Sequence, residues 1–449
     1  MSYFLGVYAR ETTREFNKLR ARINEMFKEN KHTKYSFALK NIYIVKFDIE
    51  AYQGKGAYEE KNEGFCVVAG DPILDSDHNA KNCRDVQLIN IMQKLKVNDW
   101  SILSSCRGQF CIACYIVSNK RLILASDANG VRPLYYYDNG KVLYFGTAMS
   151  AVSEIAGIES EVDWEARIQK MVFGVPLGTR TENRKVKVLK SAEVYVVDQT
   201  YSTKHQYYRW DSISDKKLSM DQLSEEAYCK FQEAVRVRAR DCDRVLAFLS
   251  GGLDSRCVVS VLNKLDKNVV AFNFYRKGEK DQYLSKAYAN LLGISICQME
   301  RPVIRWSWGD LFARAVIAAG LESNDKFSGK LAFSGDGGSV AVGRVYMRAE
   351  DISLLGESGI RRFAAAFTAR RPKAVFNYLK PSIREQFLES TVGALHDELV
   401  DLQCDDVGRK LLLFFLHNDQ RRHLHHHYET ILDHKVELLV PFMDKEFYK

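Results

Sequence analysis

The stretch FLSGGLDSR, Phe248 to Arg256, concentrates groups able to hold a phosphate. Gly251 and Gly252 let backbone N–H groups approach a bound group with no Cβ in the way. Ser250 and Ser255 add hydroxyl donors. An apolar run, VLAFL, precedes the glycines and a helical pattern, CVVSVLNKL, follows them, so the positive end of a helix is directed at the same point. A carboxylate repels an anion, and Asp254 beside such a cradle is best explained by Mg²⁺ shared with phosphate oxygens. The pattern lacks the lysine of GxxxxGK[ST] and does not fit GxGxxG. The plainer alternative is a glycine turn closing a strand-to-helix connection, with Asp254 as a helix cap. Six positions of suitable chemistry at one junction favour the phosphate site.

The elements that must position this loop are legible on both sides. MDQLSEEAYCKFQEAVRVRAR has helical spacing, VLAFLS and VVAFNFY read as buried strands, DQYLSKAYANLLG as a helix and ISICQME as a weaker strand. Strand, helix and strand in that order predict a parallel sheet with ligands at the carboxyl ends of its strands. From about Asp310 onward the pattern is helix-rich and broken by SGDGG, Ser334 to Gly338. Before about Trp210 it differs: GFCVVAG, GQFCIACYIV, KRLILAS, PLYYY and KVLYFGT are short strands, DNG at Asp138 to Gly140 suits a hairpin, and TREFNKLRARINEMFKE is an early helix. The length of 449 residues accommodates two such units, expected over 1–210 and 211–449.

These runs resemble a family. SGGLDS after an apolar strand is similar to the pyrophosphate loop of the N-type ATP pyrophosphatases. RGQFCIACYIVSNKRLILASDANGVRPLYYYDNGKVLYFGT, with Asp127, Gly130, Pro133, Leu134 and Tyr135, and later GVPLGTRTENRKVKVLKSAEVYVV, resemble the class II glutamine amidotransferase-like domain that asparagine synthetase-like proteins carry in front. SGDGG and VELLVPFMD, Val436 to Asp444, resemble later signatures of the synthetase domain. The implied fold class is α/β: an Ntn-hydrolase-like antiparallel β-sheet domain with flanking helices, then a parallel-sheet domain of the adenine nucleotide α-hydrolase type. The implied activity is ATP-dependent amide formation, in which a carboxylate is adenylated and an amine or ammonia displaces AMP. β-Lactam synthetases and peptide cyclases are members of this kind.

By the same resemblance, Leu249, Ser250, Gly251, Gly252, Leu253, Asp254, Ser255 and Gly335 hold ATP. The strand end Phe272 to Phe274, with Asn273 and Phe274, takes the adenine. Asp254 binds Mg²⁺, and Asp254 and Asp336 are catalytic. The expected partners are a small-molecule or peptide carboxylate, an amine or ammonia, and a second copy in a homodimer.

The sequence also departs from the family. Its glutaminases use a cysteine as mature N-terminal residue, since the thiol is the nucleophile and the free amine its base. Ser2 follows Met1 here, so the front unit is expected to be inactive as a glutaminase. Ser339 and Val340 stand where the second signature has Asp and Glu, Leu439 replaces an arginine, and Lys449 precedes the region of a catalytic lysine, so truncation or a changed activity is expected. These departures leave open a non-catalytic, nucleotide-binding scaffold or regulator. Six histidines gather at His417, His423, His425, His426, His427 and His434. His423 and His427 have the spacing of a metal pair, but no acidic motif accompanies them in the sequence, and a place in the acceptor pocket is the preferred reading.

Composition sets the remaining bounds. A formal charge of +8 permits an acidic partner such as a nucleotide. Nucleic acid is not expected, because the densest basic run, RRFAAAFTARRPK, reads as the solvated face of a helix. MSYFLGVYARETTREF meets charge too early for a signal peptide, and no apolar run is long enough to cross a bilayer, so a cytoplasmic protein with no membrane partner is expected. The ten cysteines fall in apolar stretches, as reduced thiols do, and the CxxC of Cys111 and Cys114 lies in a buried strand.

Overall fold

The computed structural model describes the chain except residues 12–13, 29, 31, 75–82, 214–216, 241, 302–329, 343–346, 371–373 and 431–435. His434 and the end of the basic run fall outside the described residues.

Among the described residues, twelve strands build two antiparallel sheets. They are Tyr3–Ala9 (β1), Thr33–Ala38 (β2), Ile42–Asp48 (β3), Ala57–Glu60 (β4), Gly64–Asp71 (β5), Gln109–Ile116 (β6), Arg121–Ser126 (β7), Tyr135–Asp138 (β8), Val142–Gly146 (β9), Lys187–Val188 (β10), Glu193–Val197 (β11) and Ser202–Gln206 (β12). One sheet has the order β10-β8-β9-β1-β3-β2 and the other β12-β11-β7-β6-β5-β4. Because successive strand residues face opposite sides, each sheet has two apolar faces. The inner faces meet in a core that includes Phe4, Ile44 and Phe145 from one sheet and Phe65, Tyr115 and Leu124 from the other. The outer faces are covered by helices, Arg14–Met26 and Met149–Ala156 on the first and Arg84–Lys96 on the second. Cys111 lies in the inner core and Cys114 in the outer one, so the CxxC thiols point to opposite sides of β6. That arrangement suits packing and not a shared metal.

Five further strands, Arg244–Phe248 (β13), Asn268–Tyr275 (β14), Ser295–Glu300 (β15), Leu331–Phe333 (β16) and Glu437–Leu439 (β17), form a parallel sheet in the order β15-β14-β13-β16-β17. The helix Met220–Ala239 leads into it, started by a reciprocal cap in which Ser219 Oγ accepts from the Gln222 N–H at 3.2 Å and Gln222 Oε1 accepts from the Ser219 N–H at 3.0 Å. This helix, Leu253–Lys264 and Lys280–Leu292 cover one face through Phe231, Val258 and Ala289. The other face packs on Ala128, Val131 and Trp210 and on Leu424 and Tyr428 of the helix Arg421–Thr430. The α/β class expected from the sequence is the observed one. Among the described residues, no helix is long and apolar enough to cross a membrane.

The antiparallel and parallel sheets are joined by buried polar contacts as well as by apolar packing. Asp444, with no exposed side-chain surface, accepts from Arg238 Nη1 at 2.6 Å and from Arg107 Nη2 at 3.1 Å. Asn129 Nδ2 donates to the Met443 carbonyl at 2.8 Å, and Gln109 Nε2 to the Val440 carbonyl at 3.2 Å.

Candidate active site

Strand order locates the crevice. The chain runs outward from β13 through β14 to β15, then returns to the other side of β13 with β16 and β17. The reversal falls between β13 and β16, and ligands of open α/β sheets bind outside the carboxyl ends of the strands at such a point. The two loops that leave these strands are SGGLDS and SGDGG.

The loops are in backbone contact, and their glycines are required by it. A Cβ on Gly335 would lie 2.6 Å from the Ser255 nitrogen, and one on Gly338 would lie 2.6 Å from the Asp254 carboxyl carbon. Any larger residue at either place would push the loops apart. Ser339, at the head of the short helix Gly338–Ala341, donates its hydroxyl to Asp254 Oδ2 at 2.5 Å. The residue that stands where the family carries a carboxylate therefore touches the Asp254 side chain directly.

Within the first loop the hydroxyls organise the backbone. Ser255 Oγ accepts from the Ser250 N–H at 3.0 Å and lies 2.9 Å from Ser250 Oγ, which accepts from the Gly252 N–H at 3.1 Å. Gly252 is the residue before the helix Leu253–Lys264, so the positive end of that helix opens at the loop. Gly251 N–H donates to Asp281 Oδ1 at 3.0 Å. Asp281 was not singled out from the sequence. It sits in the first turn of the helix after β14, whose start lies at the same end of the sheet, and that position was the available signal.

The other expected residues divide. The Leu249 side chain is buried in the core, its N–H bonds the Phe272 carbonyl at 2.8 Å, and its carbonyl accepts from Asn273 Nδ2 at 2.9 Å. Asn273 is buried, so these two shape the floor beneath the loop through the backbone. Phe274 is half-buried with its ring 5.9 Å from Phe248, and Leu253 is exposed beside the loop. Asp336 lies on the second loop, with Oδ2 accepting from Ser334 Oγ at 2.6 Å. It is brought to His423 and His427, one ligand atom from each of the three lying within 4.8 Å of the others. The acidic neighbour missing from the local sequence is supplied by a loop 87 positions earlier. Burial lowers the pKa of His427 to about 4, although Asp336 acts in the opposite sense.

At the position of the family's nucleophile the structure holds a different group. Ser2 is buried, and both its N–H, at 2.7 Å, and its hydroxyl donate to Glu437 Oε1 of β17. Arg132 Nη2 donates to Glu437 Oε2 and to the Ser2 carbonyl, each at 2.9 Å. Nearby, Asp48 is shared by Lys46 at 2.5 Å and Arg84 at 3.0 Å. Burial depresses the Lys46 ammonium to about 8 against the pull of Asp48.

Comparison with known proteins agrees with this layout. A glutamine amidotransferase domain model matches residues 88–208, and an asparagine synthase model matches residues 227–301. Asparagine synthetase [glutamine-hydrolyzing] 1 of Bacillus subtilis is 26% identical over 264 residues, covering 56% of this chain and 42% of that protein. Putative asparagine synthetase [glutamine-hydrolyzing] 2 of Methanocaldococcus jannaschii is 29% identical over 157 residues, 34% of this chain and 30% of the other. Amidase chyE of Penicillium rubens is 25% identical over 295 residues, 58% of this chain and 42% of the other. The chain thus spans less than half the length of these relatives. The two domain models follow one another along the chain in the same order as the antiparallel and parallel sheets, and these matches support an asparagine synthetase-like family with a glutamine amidotransferase-like domain in front.

Proposed function

We propose that the chain is an ATP-dependent carbon–nitrogen ligase that adenylates a substrate carboxylate and passes it to an amine or ammonia, with an ATP-pyrophosphatase unit over 211–449 behind a silent glutaminase-like unit over 1–210. The observation that carries the reading is the paired loop at the β13/β16 switch point. Two glycines of the second loop are pressed against Ser255 and Asp254 of the first, while Gly252 keeps its Cβ position open except for Ser250 Oγ at 3.1 Å. The residues fit a nucleotide with Mg²⁺. N–H donors and hydroxyls serve the phosphates, and Asp254 offers one carboxylate to a cation that ordinarily takes one or two carboxylates plus substrate phosphates. When bound, that cation would neutralise charge on the departing pyrophosphate.

The chain's own residues supply orientation. Loop N–H groups and the helix end are fixed before the reaction, so they stabilise pyrophosphate as its charge develops without reorganising. Phe248 and Phe274 offer apolar ring surface for a base. Ser339, by donating to Asp254, keeps that carboxylate facing the second loop. The front unit acts as a structural partner, because Glu437 occupies both polar groups of Ser2. The test is nucleotide binding by Gly252→Val. Gly252 has φ −71°, a conformation open to other residues, so the fold is kept while the new side chain enters the phosphate space. MgATP affinity should fall by at least about tenfold, or 1.4 kcal/mol. Unchanged affinity in a folded variant would place the nucleotide elsewhere.

A further inference from the structure

The histidine-rich segment separates into members with different work. His425 Nε2 lies 2.8 Å from the Gly130 carbonyl, and His417 is half-buried with its ring near Trp210. His423 and His427 stand one turn apart on the helix Arg421–Thr430, and side chains at that spacing share a face. Their Nε2 atoms are 3.0 Å apart and their rings cross at 80°, so the two nitrogens converge without stacking. Asp336 approaches the same point from the end of β16. Its other neighbour, Ser334 Oγ, orients the carboxylate as outer partners of metal ligands do.

We propose that Asp336, His423 and His427 form a three-ligand site for a borderline transition cation, for which Zn²⁺ is the best fit. Two imidazoles and one carboxylate are a donor set suited to Zn²⁺ and poor for Mg²⁺ or Ca²⁺, which take oxygen. Zinc–nitrogen bonds of about 2.0–2.1 Å separate tetrahedral ligand atoms by about 3.3 Å. The histidine nitrogens already stand near that spacing, and the exposed His423 can close on the carboxylate by rotation. His427 is buried, so its ring is held in place by its surroundings. A six-residue π-helix, Phe415–Gln420, leads directly into the ligand helix, a distortion common at functional sites. Three protein ligands leave a fourth position for water or a carboxylate, as in zinc sites that do chemistry. The cation would be distinct from any Mg²⁺ at Asp254.

The proposal is tested on the full chain, stripped with chelator, without nucleotide, by titration with Co²⁺ followed in the visible spectrum and by competition with Zn²⁺. One equivalent should bind with the absorption of a tetrahedral site. His423→Ala and Asp336→Asn should each weaken binding by at least about tenfold, the loss caused even by removing an outer partner of a ligand. His426→Ala, one residue off the shared face, should bind as the wild type does. Absence of a stoichiometric site, or His423→Ala binding as tightly as wild type, overturns the proposal. Because His423 is exposed, its loss does not threaten the fold. No nucleotide is present, so failure here leaves the ligase reading standing, and failure of MgATP binding leaves this one standing.

Discussion

Replacing Arg132 by methionine should cost more stability than removing the whole ion pair to which it belongs. The Arg132 and Glu437 side chains are 3% and 0% exposed. Burial opposes the charge on Arg132, but its neighbours, the Glu437 carboxylate first among them, together outweigh burial and push the pKa up. The guanidinium also lies over the Tyr428 ring at 5.3 Å, and a methionine retains part of that contact. It cannot neutralise Glu437, and the nearby cations Lys46 and Arg84 are already shared by Asp48. Breaking a buried pair on one side costs about 3–5 kcal/mol. With a urea m-value of about 3 kcal/mol/M, the unfolding midpoint should fall by about 1–1.7 M. Adding Glu437→Gln removes the stranded charge while keeping an acceptor for Ser2, and should restore about 2 kcal/mol or more. Urea titration followed by tryptophan fluorescence reads all four corners of the cycle. A single variant within about 1 kcal/mol of wild type, or a double variant no more stable than Arg132→Met, would refute the idea that Glu437 is a charge held by Arg132.

Three other outcomes follow from named contacts. Ser2→Cys should release no ammonia from glutamine, because Glu437 still accepts from the backbone amide of that position and stands where the new thiol would lie; ammonia release above the wild-type level, measured by coupled assay, contradicts this. Burial tends to raise the pKa of Asp444, but Arg238 and Arg107 lower it overall, so its stabilisation is present above the ordinary carboxylate value of about 3.9 and is lost as pH falls through the depressed folded value. Asp444→Asn should therefore be less stable than wild type at pH 7 and show a flatter loss of stability toward acid; a parallel pH profile removes Asp444 from the account. Gly335→Val should separate the two loops, since its Cβ would meet the Ser255 nitrogen at 2.6 Å, and should weaken MgATP binding together with thermal stability, whereas Gly252→Val weakens binding alone.

What the sequence made legible was local. β13 and β14 are buried on both faces, so they read as unbroken apolar runs, and the glycine loop is marked by its own residues. The strands β16 and β17 have three residues each, LAF and ELL, too short to show a period; both are defined by pairing with a neighbour. The helix Arg84–Lys96 went unmarked in a region read as mostly sheet, although Leu88, Ile91, Met92 and Leu95 have helical spacing. The pairing of Ser2 with Glu437 spans 435 positions, and Asp336 meets His423 only because β16 ends beside the helix Arg421–Thr430. No periodicity or motif records such meetings. The histidine spacing gave two of the three candidate metal ligands, and the fold gave the carboxylate.

If the paired loops activate a carboxylate with ATP, labelled pyrophosphate should exchange into ATP on the enzyme. Wild-type chain with Mg²⁺, presented with a panel of small-molecule and peptide carboxylates, should support exchange with at least one of them, and Asp254→Asn should abolish it. Exchange that persists undiminished in Asp254→Asn, or none in the wild type with any carboxylate despite MgATP binding, would contradict the account and leave a nucleotide-binding scaffold in its place.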